Sequence, residues 1–277
     1  MTLSMLSNPT SLGAQKHFNN TQKGLGKSIG RLSSGLRIQS AADDAAGMGI
    51  SSVMVADIRS VVQAERNAND AISMIQIAEG AMSEQSGIMS RLRELAVQSA
   101  NGALSANERA FIEVEHQQLV AELQRIAAGT EFNSFEMLGA DAGVYSMQVG
   151  KDGVGGIDTI DVTFTPTHTN ALGVNAMDFT TVAGSQAALG TIDAAIGVLS
   201  TARADVGALQ NRLEVTVSNL RVEEENLTAA NGRIRDVDVA RETATLTRNQ
   251  IMSQAGTAML AQANQLPSAA VQLLGGN

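Results

Sequence analysis

The strongest constraint on the fold of this 277-residue sequence is a seven-residue repeat of apolar side chains in its second half. With no proline between them, seven apolar residues keep one register: Ile192, Leu199, Val206, Leu213, Leu220, Leu227 and Ile234. A 3.5-residue apolar period kept over this length predicts one long helix with a single apolar seam. At about 1.5 Å per residue that helix is roughly 65 Å long. It needs a partner that buries the seam.

A second seam of the same span lies in the first half of the chain. Its residues are also spaced by seven: Met54, Val61, Ala68, Ile75, Met82, Met89 and Ala96. Two equally long amphipathic helices, one in each half, predict an antiparallel pair within the chain. The predicted fold is therefore mainly α, an elongated antiparallel coiled-coil rod. An ordinary helical bundle is the alternative.

Composition excludes several classes of function. The formal net charge of −9 argues against nucleic acid as a partner, because a phosphate-binding surface needs a basic excess. There is no cysteine, so neither disulfides nor thiolate chemistry are available. His17, His116 and His168 are isolated, and none begins the two-histidine helix motif of zinc hydrolases. We expect no catalysis, no metal site and no cofactor.

Both ends of the chain are predicted to be helices with one apolar face. At the N-terminal end the face comprises Phe18, Leu25, Ile29, Leu32 and Leu36. At the other end no charged side chain occurs over residues 249–277, where the apolar positions spaced by seven are Met252, Met259, Leu266 and Leu273. A soluble monomer places charges on the exposed face of a helix. We therefore expect other copies of the chain to cover this helix; a disordered tail is the alternative.

The middle of the chain, residues 139–185, has a different composition, rich in Gly, Thr and Asp. Alternation at Tyr145, Met147 and Val149, and again at Ile160, Val162 and Phe164, predicts a small β-hairpin. The Thr-rich stretch 163–185 is predicted to be a surface loop. At the N-terminus, residues 1–15 lack the basic start and apolar run of a secretory signal. We also expect no membrane-spanning segment.

Long motifs at both ends carry a family resemblance. They include Arg31-Leu32-Ser33-Ser34-Gly35-Leu36, Asp43-Asp44-Ala45-Ala46-Gly47, Leu92-Arg93-Glu94-Leu95-Ala96-Val97-Gln98-Ser99-Ala100-Asn101-Gly102, Asn211-Arg212-Leu213-Glu214 and Gln262-Ala263-Asn264-Gln265. Through these motifs the chain resembles bacterial flagellin over roughly 1–138 and 190–277. The large outer domains of long flagellins have no counterpart here, because only about fifty residues separate the matched ends.

The resemblance implies a domain organisation and a function. Residues 1–43 and 236–277 would form the inner tube of a filament, and 44–138 with 186–235 its wall. Residues 139–185 would be the β-hairpin and variable surface loop. The function implied is a structural subunit that polymerises into the extracellular flagellar filament and serves motility. A hook–filament junction protein, which shares the terminal helices, is the alternative.

The resemblance also implies partners and modifications. The partners are further copies of the chain, an export chaperone on the C-terminal helix, and hook-associated junction and cap proteins, with type III export and no cleaved signal. An animal innate immune receptor would contact Arg91, Leu95 and Glu115, although Leu119 replaces the arginine of the recognised type. Packing between subunits is the other interpretation of these three residues. Candidate O-glycosylation sites are Thr163, Thr165, Thr167, Thr169, Thr180, Thr181 and Ser185.

Overall fold

The structure is a computed structural model that describes residues 8–274, with side chains described over 8–265. Helices dominate the described chain. In chain order the elements are α1 (Pro9–Ser34), α2 (Ala45–Ser99), α3 (Ala106–Gly129), β1 (Glu131–Phe132), β2 (Phe135–Glu136), β3 (Val144–Gln148), β4 (Thr159–Thr163), α4 (Thr169–Leu172), a 3-10 turn (Val174–Ala176), α5 (Val182–Arg235) and α6 (Val239–Leu274). The mainly helical class with a small β element, as the sequence predicts, is confirmed.

The chain divides into two compact units. One comprises Met1–Ala56 and Asn226–Asn277, and the other is the continuous segment Asp57–Glu225. We call them the terminal unit and the central unit. Both long helices, α2 and α5, contribute residues to each unit.

In the central unit α2 and α5 run antiparallel. Salt bridges join Arg93 to Asp193 at 2.7 Å, Glu79 to Arg203 at 3.8 Å and Glu65 to Arg221 at 2.8 Å, so residue numbers rise along α5 as they fall along α2. Between these exposed pairs lies the seam. Its buried members are Val61, Ala68, Ile75, Met82, Met89, Ala96, Ile192, Leu199, Val206, Leu213 and Leu220. The remaining predicted seam residues, Met54, Leu227 and Ile234, belong to the terminal unit and are half-buried.

Local sequence signals set the bounds of α3 and of the small strands. Ser105 accepts a hydrogen bond from the Glu108 backbone while the Glu108 carboxylate accepts one from the Ser105 N–H, a reciprocal cap of α3. Asn133 and Ser134 both have positive φ, 50° and 67°, which suits a two-residue turn joining β1 to β2. Strands β3 and β4 pair antiparallel, with Tyr145 opposite Val162 and Met147 opposite Ile160. The β3–β4 hairpin predicted from alternation therefore forms.

The prediction of a surface loop over residues 163–185 is wrong for most of that stretch. Phe164, Leu172, Val174 and Phe179 are buried and belong to the core of the central unit. The Phe179 ring stacks on the His116 ring with centroids 4.3 Å apart. Helix α5 also begins at Val182, ahead of the heptad register. This burial could not be predicted from the sequence, because the apolar residues of the Thr-rich stretch follow neither the helical nor the strand period.

Two helices, α2 and α5, are long and apolar enough to cross a membrane by length and composition alone. The sequence predicts no membrane-spanning segment. Long helices that bury an alanine-rich and leucine-rich seam pass the same test, so the observation is weak evidence for a membrane protein.

We expect truncation to alanine to change the free energy of unfolding very differently at two nearby positions of α5, because one lies in the seam and the other is exposed. Leu213 is fully buried, whereas Val215 is 62% exposed. We expect Leu213→Ala to lower the free energy of unfolding of the central unit by about 2–5 kcal/mol, because it leaves a cavity in the seam. The control Val215→Ala is expected to change it by less than about 0.5 kcal/mol. Urea unfolding followed by fluorescence of the single tyrosine, Tyr145 in β3, measures both; equal effects would contradict the assignment.

Candidate assembly surface

The terminal unit is built on an antiparallel pair of helices, α1 and α6. Polar side chains join the two helices along their length. Asn8 Nδ2 donates to the Ala263 carbonyl at 2.8 Å, and Gln22 Nε2 donates to Ser253 Oγ at 3.0 Å. At the other end of α1, the Arg31 guanidinium lies 3.6 Å from the Glu242 carboxylate. Three contacts spread over the pair fix its register.

The base of this pair is closed by backbone hydrogen bonds. Gly35 ends α1 with φ of 73°, a left-handed conformation that glycine adopts without strain, and its N–H donates to the Arg31 carbonyl. The chain then pairs with the end of α5: Arg37 N–H donates to the Arg235 carbonyl at 2.7 Å, and Val237 N–H donates to the Gly35 carbonyl at 2.9 Å. These bonds join the segment that follows α1 to the segment that follows α5.

The α1–α6 pair buries very little. Ser28 is the buried residue of α1, and in the described part of α6 only Glu242 and Ala263 are buried. Two of these three are polar. Helices in proteins draw most of their stability from packing an apolar face. This pair therefore lacks an apolar core of its own over the residues described.

An apolar groove of about 230 Å³ runs between α1 and α6. The two helices approach closely at the base of the groove, where a Cβ added at Gly256 of α6 would lie 3.1 Å from Phe18 Cδ2 of α1. We call it the methionine groove, after Met252 and Met259 on its wall. Its lining residues are Ala14, His17, Phe18, Thr21, Met252, Ala255, Gly256 and Met259. None of them carries an aspartate, glutamate, lysine or arginine side chain.

The polymerisation residues predicted from sequence lie on α1 and α6, apart from Leu36, which lies in the segment that follows α1. Ile29, Met252 and Met259 are more than half exposed. Phe18, Leu25, Leu32 and Leu36 are half-buried. The side chains of Leu266 and Leu273 lie outside the described residues. What sequence reasoning missed is the polar part of the pairing, such as Asn8 with Ala263, because contacts between distant residues leave no periodic signal.

A loop between α1 and α2 is held by one ion pair. Lys27 Nζ lies 2.5 Å from Asp43 Oδ1, and Asp43 Oδ2 accepts hydrogen bonds from the Gln39 and Ser40 N–H groups at 3.3 Å. The hydrogen bond from Lys27, helped by those two N–H groups, lowers the pKa of Asp43 from its ordinary 3.8 to about 2. Nearby, Ser51 Oγ donates to Asn231 Oδ1 at 2.7 Å, which ties the start of α2 to α5.

Two other sets of predicted residues lie in the central unit. Arg91 pairs with Glu115 at 2.8 Å on the surface, whereas Leu95, predicted to act with them, is buried in the core. Of the predicted glycosylation sites, the exposed ones are Thr163, Thr180 and Thr181. Thr165 is half-buried, and the buried ones are Thr167, Thr169 and Ser185. Among the described residues no group of three or more histidine and acidic side chains could hold a metal ion.

The fold defines a class of protein: a mainly helical chain whose terminal helices pair with each other and leave an apolar groove exposed. Comparison with known proteins specifies the family. The model of the bacterial flagellin N-terminal helical region matches residues 5–142, and that of the C-terminal helical region matches residues 189–274. The chain belongs to the bacterial flagellin family.

Relatives cover almost the whole chain. It is 42% identical to the flagellar filament 33 kDa core protein of Treponema phagedenis, over 96% of this chain and 98% of that protein. It is 46% identical to a flagellin of Halalkalibacterium halodurans, over 90% and 91%. The crystal structure of Bacillus cereus flagellin is similar at a TM-score of 0.51 and 27% identity, covering 60% of this chain and 94% of that one.

The Lys27–Asp43 pair predicts a local dependence on pH. Because the pKa of Asp43 is lower in the folded chain than in the unfolded one, this group stabilises the fold above about pH 4, and the contribution is lost as the pH falls toward 2. We expect Lys27→Met to raise the pKa of Asp43 toward 3.8, measured by carboxyl NMR titration. Lys23→Met, an exposed lysine of the same helix, is the control. A wild-type Asp43 titrating near 3.8 would contradict the assignment.

Proposed function

We propose that this chain is the structural subunit of a bacterial flagellar filament, the propeller that drives swimming. The observation that carries the proposal is the α1–α6 pair, which exposes the methionine groove and, over the side chains that the structure describes, has almost no apolar core of its own. Membership of the flagellin family supports the same conclusion. The relatives that match nearly the full chain are flagellins and filament core proteins, so the hook–filament junction alternative is not favoured.

The two units would have different tasks in the filament. Copies of the terminal unit would pack their α1–α6 pairs against each other as an inner tube, burying the apolar side chains that a single chain leaves open. Apolar burial stabilises by about 25 cal/mol per Å², so residues more than half exposed in the monomer, such as Met259, are where association gains most. The central unit, with its buried seam, would supply the wall. The role is mechanical and non-catalytic.

Export and assembly need other proteins. We propose that the chain is exported through the growing filament without a cleaved signal, and that a chaperone holds its C-terminal helix beforehand. The absence of charge over residues 249–277 supports that need, because an uncharged amphipathic helix left open in the cell would self-associate. Hook-associated junction and cap proteins would bound the polymer at its two ends.

Two surface properties of the central unit complete the proposal. Arg91 and Glu115 are both exposed and paired, so they are the members of the predicted immune-receptor set that a partner could reach. The burial of Leu95 gives it a packing role in the monomer. O-linked sugars are proposed on Thr163, Thr180 and Thr181. The buried sites Thr167, Thr169 and Ser185 are left out, because a glycosyltransferase could not reach their hydroxyl groups.

A charge placed in the methionine groove tests the proposed function. Met259 is 63% exposed, so Met259→Glu is expected to leave the monomer folded by circular dichroism. A carboxylate buried between subunits would lose its hydration without gaining a partner. We therefore expect Met259→Glu to abolish seeded polymerisation measured by sedimentation.

The matched variant Met259→Leu keeps the apolar surface and is expected to form filaments. Filaments of Met259→Glu at the wild-type critical concentration would show that the groove stays open to water in the polymer, and the proposed interface would be wrong.

A further inference from the structure

The methionines of this chain differ sharply in exposure. Over the described side chains, Met252 and Met259 are 54% and 63% exposed, whereas Met74, Met82 and Met89 are at most 2% exposed. Met252 and Met259 both line the methionine groove, and they are one heptad apart on α6. A thioether that water can reach is also open to dissolved oxidants, and its oxidation follows this exposure.

We propose that Met252 and Met259 form an oxidation site that controls assembly: peroxide converts both to sulfoxides in the free subunit, and the modified groove no longer accepts a second copy of the chain. This inference rests on the proposed function, because it takes that second copy to be the occupant of the groove. The uncharged lining of the groove, and the lack of an apolar core in the described part of the α1–α6 pair, argue for that occupant.

The chemistry is a two-electron transfer of one oxygen atom. A lone pair on the thioether sulfur attacks one oxygen of hydrogen peroxide, so that a sulfur–oxygen bond forms as the oxygen–oxygen bond breaks. The proton on the transferred oxygen passes to the departing hydroxide, which leaves as water. Methionine is oxidised to the sulfoxide, peroxide is reduced, and no further reactant is needed.

The sulfoxide would change what the groove can accept. Its oxygen is a strong hydrogen-bond acceptor, and burying it against an apolar neighbour without a donor is costly. The groove offers few donors: the Thr21 hydroxyl already donates to the His17 carbonyl at 3.0 Å. The remaining polar side chain of the lining is that of His17. Each sulfoxide is therefore expected to weaken association by roughly tenfold.

The first test is where oxygen is added. The full-length monomer is treated with hydrogen peroxide for increasing times, and peptides are mapped by mass spectrometry. Met252 and Met259 are expected to gain one oxygen each well before Met74, Met82 and Met89. Equal oxidation rates at the exposed and buried positions would overturn the proposal.

The second test is the effect on assembly. Because each of the two sulfoxides is expected to weaken association about tenfold, we expect the critical concentration of the oxidised wild type to rise roughly a hundredfold, and treatment with methionine sulfoxide reductases A and B plus dithiothreitol to restore it. The double variant M252L/M259L is compared with its own untreated sample and is expected to show no change with peroxide. The control M147L/M177L, which alters two half-buried methionines, is expected to stay sensitive.

Failure of the inference and failure of the proposed function are distinguishable. If wild type with both methionines fully oxidised assembles at the untreated concentration, or if reductase treatment restores nothing, the oxidation site is overturned while the filament function stands. If untreated wild type forms no filaments, the proposed function itself fails, and this inference fails with it.

Discussion

Over the described residues, the paired terminal helices of this protein leave apolar side chains exposed to water, and this constraint favours association with further copies of the chain. The α1–α6 pair is held in register by polar contacts such as Gln22 with Ser253, while Ile29, Met252 and Met259 remain more than half exposed. Polar contacts at a solvated surface each contribute little net stability. Further stabilisation would come from burying the exposed apolar surface, and a second copy of the same chain can bury it. Polymerisation would then bury the apolar side chains that the helix pair leaves exposed.

The central unit, in contrast, has an apolar core that is buried within one chain. Its seam from Val61 to Ala96 on α2 and from Ile192 to Leu220 on α5 is buried inside a single chain, and the core extends to Phe164 and Phe179. A unit with a buried apolar core of its own can remain folded before and after assembly. Such a division suits a filament subunit, because one part supplies a stable body while the other stays incomplete until neighbours arrive. The oxidation site proposed at Met252 and Met259 lies in the incomplete part, where chemistry can still reach it.

Sequence predicted the periodic features and missed the contacts between distant residues. The heptads marked α2 and α5, and alternation marked β3 and β4. Each is a local or periodic pattern that a single sequence records. The Lys27–Asp43 pair and the turn at Asn133 and Ser134 were not predicted. The surface-loop prediction for the Thr-rich stretch was wrong for a related reason. Phe179 accepts a hydrogen bond from Ser99 at its carbonyl and stacks on His116, and both residues are remote in sequence.

Electron microscopy of the purified chain, seeded with filament fragments at neutral pH and then acidified below about pH 3, tests the central claim most directly. Carboxylates that stabilise the folded subunit, such as that of Asp43, become protonated in that range. We predict filaments at neutral pH that dissolve in acid, and a monomer whose two termini are trimmed by protease. A persistent compact monomer at neutral pH, with protected termini, would mean that the terminal helices satisfy each other within one chain, and it would contradict the account.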